Sequence, residues 1–299
     1  MSASAAARHV HIVVHAGRSS AVAAAASVAA GLVAHPISLT VSETDDPAGE
    51  LSAFGVTVDT SPAGIGLVLA FGGDGTMLRA AEVALSHGAP LLGVNLGRVG
   101  FLAEAEVEHL DDVVSAIVNR SYAVEERMCI HASVEHADGS TWQTWAMNEI
   151  VTSRSESMHV VELLLEIDSE PLSRLGADGI IVSTAAGSTA YAFSAGGPII
   201  WPQVEAMCVV PVSAHALFAR PLVVAPTSTV CISNPHHEAQ LWADGHRHVR
   251  LQPGAKVTIT RHQQAVNVVR LDSATFTSRL VRKFQLPVQG WRADAGRLG

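Results

Sequence analysis

The chain contains few cysteines, and those present are poorly placed for cross-linking or for binding a metal. Cys129, Cys208 and Cys231 are the only three in 299 residues, and no CxxC pair occurs. An odd number of widely separated cysteines argues against a disulfide framework and against a cysteine zinc site. We therefore expect the protein to reside in a reducing compartment.

The sequence also lacks a long hydrophobic run, and its first residues do not resemble a signal peptide. Its most apolar long run, residues 21–34, is rich in alanine and too short to span a bilayer. The N-terminal residues show no basic region followed by an apolar core, which a signal peptide would have. We expect a cytoplasmic protein with no membrane partner.

Positive charge is scarce as well. Lys and Arg number 19 against 28 Asp and Glu, a formal net charge of −9, so nucleic acid is not an expected partner. Hydrophobic residues make up 48% and charged residues 16% of the chain, which is typical of a globular protein with a sizeable core. An acidic protein can still bind an anion where the local site offers backbone N–H groups or a cation.

The first part of the chain alternates between strand-like and helix-like segments. Near-continuous apolar strands separated by helices predict a parallel sheet covered on both faces. We assign residues 1–121 to a Rossmann-like α/β domain. The predicted strands are 9–15, 37–41, 66–71 and 90–95, and the predicted helices are 21–34, 77–87 and 107–120.

From residue 122 onward the sequence has many strand-like runs and few long helices. It predicts an all-β, sandwich-like domain over residues 122–271, which makes the chain α+β overall. A tail, residues 272–299, is expected to pack back on the first domain. The predicted strands are 130–136, 141–154, 160–167, 179–182, 222–224, 230–233, 256–260 and 265–271.

Residues 72–76 read GGDGT and join a predicted strand to a helical segment. Glycines let backbone N–H groups approach a phosphate where a Cβ would clash, and the helix directs its positive dipole end at the anion. A carboxylate at Asp74 could hold a divalent cation or accept a proton from an attacking hydroxyl. The alternative is a glycine-rich turn in which Asp74 only caps the helix.

Two further polar pairs lie in strand-like surroundings. Asn148 and Glu149 are adjacent in WAMNEIV, where successive side chains point to opposite faces of a strand. If both are buried, each needs a partner, and a ribose diol is one; an exposed strand end is the alternative. Asp178 precedes Gly179 at the start of another predicted strand, which by itself is typical of a turn.

Residues 183–197 read STAAGSTAYAFSAGG, a stretch made almost wholly of small residues. Its composition alone favours a flexible linker. The alternative is a backbone that must lie close against a ligand, because small side chains permit such an approach.

In combination these motifs resemble the bacterial NAD kinases. GGDGT is followed by the NE pair, then by DG and GSTAY, and then by S-x-GGP. Further matches are GVNLGRVGFL at 93–102, HALFARP at 215–221 and the DG pair at 244–245, so the resemblance runs from about Val10 to Trp291. GGDGT alone is shared with lipid kinases and loosely with phosphofructokinases, whereas its combination with NE and GSTAY is far more specific.

The resemblance implies transfer of a phosphoryl group from ATP or polyphosphate to the adenosine 2′-hydroxyl of NAD, which gives NADP. Asp74 would be the catalytic base near that hydroxyl. A divalent cation, Mg²⁺ or Mn²⁺, would be carried mainly by the donor, and no residue of the chain is assigned as a metal ligand. The residues implied to bind NAD or phosphate are Gly73, Gly75, Thr76, Arg79, Phe101, Asn148, Glu149, Asp178, Ala186, Ser188, Thr189, Ala190, Tyr191, Ser194, His215 and Asp244.

Within that set, the resemblance implies different parts of the dinucleotide for different residues. Asn148 and Glu149 would bind adenine and ribose groups, whereas Asp178 and Ser194 would face the nicotinamide end. Gly73, Gly75 and Thr76 would line the phosphates.

The resemblance also implies packing contacts and a shared site. Phe101 would lie near the adenine, and Tyr191 would offer a flat face to the base. His215 would come from a neighbouring subunit of a homodimer or homotetramer.

One departure from the family pattern lies in the small-residue stretch. Family members carry proline and then threonine or serine where this chain has Ala185 and Ala186. Loss of the proline raises the cost of ordering the loop, and loss of the hydroxyl removes one hydrogen bond of about 0.5–1.5 kcal/mol. We expect weaker NAD binding with the chemistry at Asp74 intact.

Two alternative functions remain open on the sequence alone. A lipid kinase of the diacylglycerol type shares GGDGT but gives no reason for NE and GSTAY. A non-catalytic dinucleotide sensor could arise by decay of the loop at 183–191, although the retained Asp74 argues against it.

Overall fold

The computed structural model describes residues 8–59, 63–96, 100–102, 105–106, 109–155, 160–234, 236–271 and 275–288. The chain divides into two compact units. The first unit combines Met1–Glu126 with Val266–Gly299, and the second is the continuous stretch Arg127–Ala265.

The described residues form strands and helices throughout both units. The strands are β1 (Arg8–Val14), β2 (Ile37–Val41), β3 (Val56–Val58), β4 (Leu67–Gly72), β5 (Leu91–Asn95), β6 (Ala105–Glu106), β7 (Ala123–Arg127), β8 (Ile130–Glu135), β9 (Thr141–Ala146), β10 (Glu149–Arg154), β11 (Val161–Ile167), β12 (Glu170–Ala177), β13 (Gly179–Ser183), β14 (Met207–Val212), β15 (Leu222–Val224), β16 (Val230–Asn234), β17 (Ala239–Ala243), β18 (Arg247–Leu251), β19 (Ala255–Arg261) and β20 (Val266–Arg270). The helices are α1 (Ser19–Leu32), α2 (Asp74–His87), α3 (Leu110–Asn119), α4 (Tyr191–Ser194) and α5 (Phe276–Phe284), with short 3-10 helices at Glu50–Phe54 and Gly187–Thr189.

The first unit is built on one sheet with the strand order β3-β2-β1-β4-β5-β20-β7, and β6 pairs with β5. The pairs from β3 through to β5 are parallel. All residues of β4 and β5 are buried, as expected for strands covered on both faces. Helices α1 and α3 share a hydrophobic core with this sheet, and Gly31 of α1 lies directly against Val114 of α3. The predicted parallel α/β domain is confirmed.

The second unit consists of two six-stranded sheets. Their orders are β15-β14-β13-β10-β17-β18 and β12-β11-β16-β19-β8-β9, and the recorded pairs within them are antiparallel. A single hydrophobic cluster contains buried residues from both sheets, among them Ile130, Ile150 and Leu163. The predicted sandwich is therefore confirmed, because the two inner faces share one core.

The last strand belongs to a different unit from the one that the sequence predicts. Residues 265–271 were expected in the β-rich domain, but β20 pairs in parallel with β5, with Val268 opposite Leu91. A short, mostly apolar strand such as VNVVR suits either sheet, and only the tertiary fold decides between them. Of the predicted tail, residues 275–288 are described and include α5, which belongs to the first unit.

Candidate functional site

The GGDGT segment passes from the end of β4 into the first turn of α2. A Cβ on Gly72 would overlap the Thr76 side chain, so position 72 accepts only glycine. Gly73 is the N-cap residue, and Asp74 is the first residue of the helix. No side chain caps this helix, so the structure does not support the alternative in which Asp74 is merely a cap.

A cavity of about 500 Å³ opens at the N-terminus of α2. Its wall includes the loop after β1, from Val14 to Arg18, together with Gly73, Gly75, Thr76 and Arg79. Strand β1 has β2 on one side and β4 on the other, so the strand order reverses at this point. Open α/β sheets bind their ligands in the crevice outside the carboxyl ends of the strands at such a reversal. The cavity thus combines a topological binding position with the free N–H groups of a helix N-terminus.

Arg79 is fixed on the wall of this cavity. Its Nη1 donates to Asp45 Oδ1 over 2.8 Å, and its Nη2 donates to the Val14 carbonyl over 3.1 Å. Asp45 is buried and also accepts from the Ser42 hydroxyl at 2.7 Å. The guanidinium is therefore presented to the cavity in one orientation. The sequence predicted Arg79 but gave no signal for Asp45, which lies 34 residues earlier and holds it.

The two carboxylate oxygens of Asp74 differ in their hydrogen bonding. The Leu102 backbone N–H donates to the carboxylate. The other oxygen, Oδ1, is buried and lacks a hydrogen-bond partner among the described residues. Burial raises the pKa of Asp74, and this effect is opposed by the positive charge of Lys283 and by the Leu102 N–H. An unpartnered buried acceptor of raised basicity is well suited to take a proton from a hydroxyl.

Helix α5 packs against the segment that contacts Asp74. The Phe101 ring lies 5.7 Å from that of Phe276 and 6.0 Å from that of Phe284. Buried Arg279 donates to the Phe101 carbonyl over 3.4 Å. The structure thus places Phe101 in an aromatic cluster of the first unit, where it stays partly exposed. Residues 97–99 of the motif at 93–102 lie outside the described residues.

In the second unit, Asn148 and Glu149 do not continue one strand as predicted. Strand β9 ends at Ala146 and β10 begins at Glu149, so the expected strand at 141–154 is interrupted. The backbone N–H groups of Met147, Asn148 and Glu149 donate to the Asp244 carboxylate over 2.8, 2.8 and 3.2 Å. A carboxylate that accepts three successive N–H groups replaces the strand ladder at this point.

Asp244 is therefore not placed to contact a ligand, contrary to the role that the resemblance implied. Its side chain is 1% exposed, and Arg247 Nη2 also donates to it over 3.0 Å. Both carboxylate oxygens are thus occupied by groups of the protein. Asp244 was identified from its motif, but its role was not, because the three backbone donors that bind it lie about 95 positions earlier in the chain.

The Asn148 and Glu149 side chains are buried with free hydrogen-bonding capacity. They are 6% and 9% exposed. Neither Asn148 Oδ1 nor Glu149 Oε2 has a hydrogen-bond partner among the described residues. Burial and, next, the charge of Asp244 raise the pKa of Glu149 to about 8, against an opposing backbone N–H from Tyr191. Such unpartnered polar atoms are costly unless a ligand satisfies them.

The small-residue stretch lies against the Met147–Glu149 turn. The Thr184 N–H donates to the Asn148 carbonyl over 2.8 Å, and its hydroxyl donates to the Met147 carbonyl over 2.6 Å. A Cβ on Gly187 would overlap the Asn148 backbone. The stretch is therefore an ordered element in close backbone contact with the turn, and the flexible-linker interpretation is wrong.

Two hydroxyls of GSTAY are used within the stretch itself. Ser188 is fully buried; its hydroxyl donates to the Ala185 carbonyl over 2.7 Å and accepts the Ile200 N–H at 2.9 Å. Thr189 donates to the Ala186 carbonyl over 3.2 Å. The predicted contact of Ser188 with NAD is not available in this structure, because the side chain is enclosed. Ala186 and Ala190 stay partly exposed.

Other predicted site residues of the second unit lie at its surface. Tyr191 is 46% exposed at the start of α4, and Ser194 is exposed at its end. Asp178 is half-exposed and accepts from Arg154 Nε over 2.9 Å. His215 is exposed, and its N–H donates to the Gly176 carbonyl over 2.8 Å.

The chain shows no ready-made metal centre in the part that the structure describes. No group of three or more His, Cys, Asp or Glu side chains there could hold a metal ion. The three cysteines are free and buried. Nor is any described helix both long enough and apolar enough to cross a membrane.

Two family models match the sequence along most of its length. The ATP-NAD kinase N-terminal domain matches residues 10–122, and the ATP-NAD kinase C-terminal domain matches residues 147–271. NAD kinase 2 of Streptomyces coelicolor is 48% identical over 292 residues, which cover 95% of this chain and 97% of the relative. The NAD kinase of Mycolicibacterium paratuberculosis is 46% identical over 303 residues, with 96% and 98% covered.

Solved structures show the same fold. Yeast NADH kinase complexed with NADH superposes with a TM-score of 0.87 at 24% identity, covering 96% of this chain and 90% of that one. An NAD kinase from Archaeoglobus fulgidus in complex with ATP superposes with a TM-score of 0.64 at 28% identity, covering 82% and 97%.

Proposed function

The chain belongs to the NAD kinase family, and we propose on that premise that it phosphorylates the adenosine 2′-hydroxyl of NAD to give NADP. The observation that carries the proposal is Asp74, at the first position of α2, with a buried carboxylate oxygen that has no partner in the described structure. Relatives 46% to 54% identical are named NAD kinases, which supports the same activity.

We assign the phosphoryl donor to the cavity of the first unit. The N–H groups at the start of α2 and the fixed Arg79 guanidinium offer hydrogen bonds and positive charge to its phosphates. Arg18 adds a second cationic side chain to the wall. The donor is ATP or polyphosphate, and a related NAD kinase has been solved in complex with ATP.

Asp74 acts as the base in this scheme. Its carboxylate accepts the proton of the 2′-hydroxyl as that oxygen attacks the terminal phosphorus of the donor. The new O–P bond forms while the bond to the leaving phosphate oxygen breaks, so ADP or a shortened polyphosphate departs with the electron pair.

A divalent cation supplies charge neutralisation in this class of reaction. The described residues offer it no cluster of three protein ligands. We therefore assign the cation mainly to the donor's phosphates.

NAD recognition is assigned to the second unit. The buried free atoms of Asn148 and Glu149 match the adenine and ribose groups that the family resemblance implies. Exposed Tyr191 offers a ring face to the base, and exposed Ser194 and His215 can contribute further contacts.

We also propose a homodimer or homotetramer in the cytoplasm. The second unit exposes several large apolar side chains, and an oligomer would cover them; they include Trp201, Leu217 and Phe218. Three free cysteines suit a reducing compartment.

The test is one assay of phosphoryl transfer with a panel of acceptors and donors. NAD and NADH are each offered with ATP or polyphosphate, and diacylglycerol is offered in parallel. The proposal expects NADP or NADPH as product. Transfer to diacylglycerol alone would indicate a lipid kinase, and saturable NAD binding without transfer would indicate a dinucleotide sensor.

A further inference from the structure

Asp244 and Glu149 are two buried carboxyl groups on adjacent elements, and their surroundings differ sharply. Asp244 follows β17, and Glu149 opens β10, the strand that pairs with β17. The Glu149 N–H itself donates to Asp244 Oδ1 over 3.2 Å. The negative charge of Asp244 opposes the ionisation of buried Glu149.

The donors around the pair favour charge on Asp244. Asp244 receives three backbone N–H groups and the Arg247 guanidinium, whereas Glu149 receives, from the residues that the structure describes, the Tyr191 N–H alone. Each such donor stabilises the ionised form of the group that accepts it. Although burial raises the pKa of both groups, Asp244 is therefore the carboxyl that stays ionised.

The remaining neighbours of Glu149 do not reverse this assignment. Strand β13 places Ser183 opposite Glu149, and its buried hydroxyl carries no charge. On the side of β18, the cation is Arg247, which is already bonded to Asp244. On α4, the Tyr191 phenol lies on an exposed side chain and is neutral at pH 7.

We propose that Glu149 works as a neutral carboxylic acid that donates a hydrogen bond to a hydroxyl of NAD, and that ionised Asp244 is the positioning residue that keeps it neutral and holds its turn. This inference rests on the proposed NAD kinase activity and adds the protonation state in which the site binds. A neutral carboxyl both donates and accepts, as a ribose hydroxyl does.

The inference predicts a specific pH dependence of NAD affinity. Binding requires the protonated form, so the Kd for NAD stays constant while Glu149 is protonated and rises as pH passes through its pKa of about 8. Above that point, affinity falls roughly tenfold per pH unit, the slope of one linked proton.

The test is calorimetric titration of the full-length protein with NAD alone, from pH 6 to pH 9. Glu149→Gln keeps a neutral side chain of the same shape. We expect it to bind NAD within about threefold of the wild type at pH 7 and to lose the decline in affinity at higher pH. Glu162→Gln, the same exchange on partly exposed β11, is the matched control and should leave the wild-type profile unchanged.

Asp244→Asn tests the positioning residue. With the charge removed, Glu149 ionises at lower pH, so the decline in NAD affinity should begin at least one pH unit earlier than in the wild type. If this variant does not fold, the wild-type profile and Glu149→Gln still decide the question.

The inference is overturned if wild-type affinity rises with pH, or if Glu149→Gln weakens NAD binding more than about 30-fold at pH 7. Either result would show that Glu149 binds as a carboxylate. A wild-type protein that neither binds nor phosphorylates NAD would instead overturn the proposed function. The two failures are therefore distinguishable.

Discussion

Gly100 lies so close to Asp74 that a Cβ atom at position 100 would be 2.6 Å from the carboxylate oxygen Oδ1. That distance is shorter than real Cβ contacts, so any side chain here must displace the Asp74 carboxylate. Glycine at position 100 is therefore required for the Asp74 carboxylate to occupy its observed position.

Gly100→Ala should lower kcat at least about tenfold, because a displaced base transfers the proton less efficiently. The thermal midpoint should change little, since Gly100 is partly exposed and lies outside the helices and strands. Gly66→Ala is the control, because its Cβ would meet only the His9 carbonyl at an ordinary 3.5 Å. Normal kcat in Gly100→Ala would show that the Asp74 position is not critical.

Asp74→Asn should lower kcat by about 10²–10⁴ while NAD still binds, as expected for the loss of a general base. Helix α2 should be unaffected, because its N-cap is Gly73. Steady-state kinetics together with a direct NAD titration would measure both effects. Turnover close to that of the wild type would remove Asp74 from the catalytic role.

Arg79→Lys should raise KM for the phosphoryl donor about tenfold and leave KM for NAD unchanged. A lysine cannot reproduce the fork that bonds Asp45 and the Val14 carbonyl at once, so the cation loses its fixed orientation. Initial rates with each substrate varied in turn would separate the two constants. An equal rise in both values of KM would contradict the assignment of the cavity to the donor.

Ala186→Thr should lower KM for NAD up to about tenfold with kcat nearly unchanged, because a contact made equally in ground and transition states affects only KM. The backbone at Ala186 is helical, with φ −62° and ψ −45°, and accepts threonine. The KM for the donor should not respond. A KM for NAD that stays the same or rises would show that the loop meets the base in another way.

Glu149→Gln should stabilise the unliganded protein increasingly as pH rises. The folded state raises the pKa of Glu149 to about 8, so the protonated form is favoured in the folded protein. The contribution of this preference to the free energy of unfolding is complete below the ordinary glutamate pKa. That contribution is lost as pH rises towards 8, by up to about 4 kcal/mol. Urea unfolding of both proteins at pH 5 and pH 8 measures it. A difference between them that does not depend on pH would contradict the raised pKa.

The local motifs were predictable because the residues that define their chemistry are contiguous in the sequence. GGDGT between an apolar strand and a helix predicts an anion site, and the structure places a cavity at its helix N-terminus. The β20 assignment was not predictable, because a short, mostly apolar segment such as VNVVR suits a strand of either sheet.

In the second unit, too, some features could be predicted from the sequence and others could not. Small residues at 183–191 predict a close approach, and the partner that the structure shows at Gly187 is the Asn148 backbone. The break at 147–148 depends on Asp244, nearly a hundred residues away, and no local propensity records such a partner. From the sequence, the Ser188 hydroxyl likewise looks available to a ligand, but the structure shows that it accepts a hydrogen bond from the Ile200 N–H.

The placement of β20 between β5 and β7 has a consequence for the nascent chain. Residues 266–270 leave the ribosome only after the whole second unit, which is contiguous and can complete its own core first. Until then the gap between β5 and β7 is unfilled, and β7 and the part of β5 that β6 does not pair with have free edges that invite pairing with other chains. The first unit therefore begins to form first and is completed last. While its sheet is incomplete, the nascent chain is most exposed to pairing with other chains, and this is the stage at which a chaperone would protect it most.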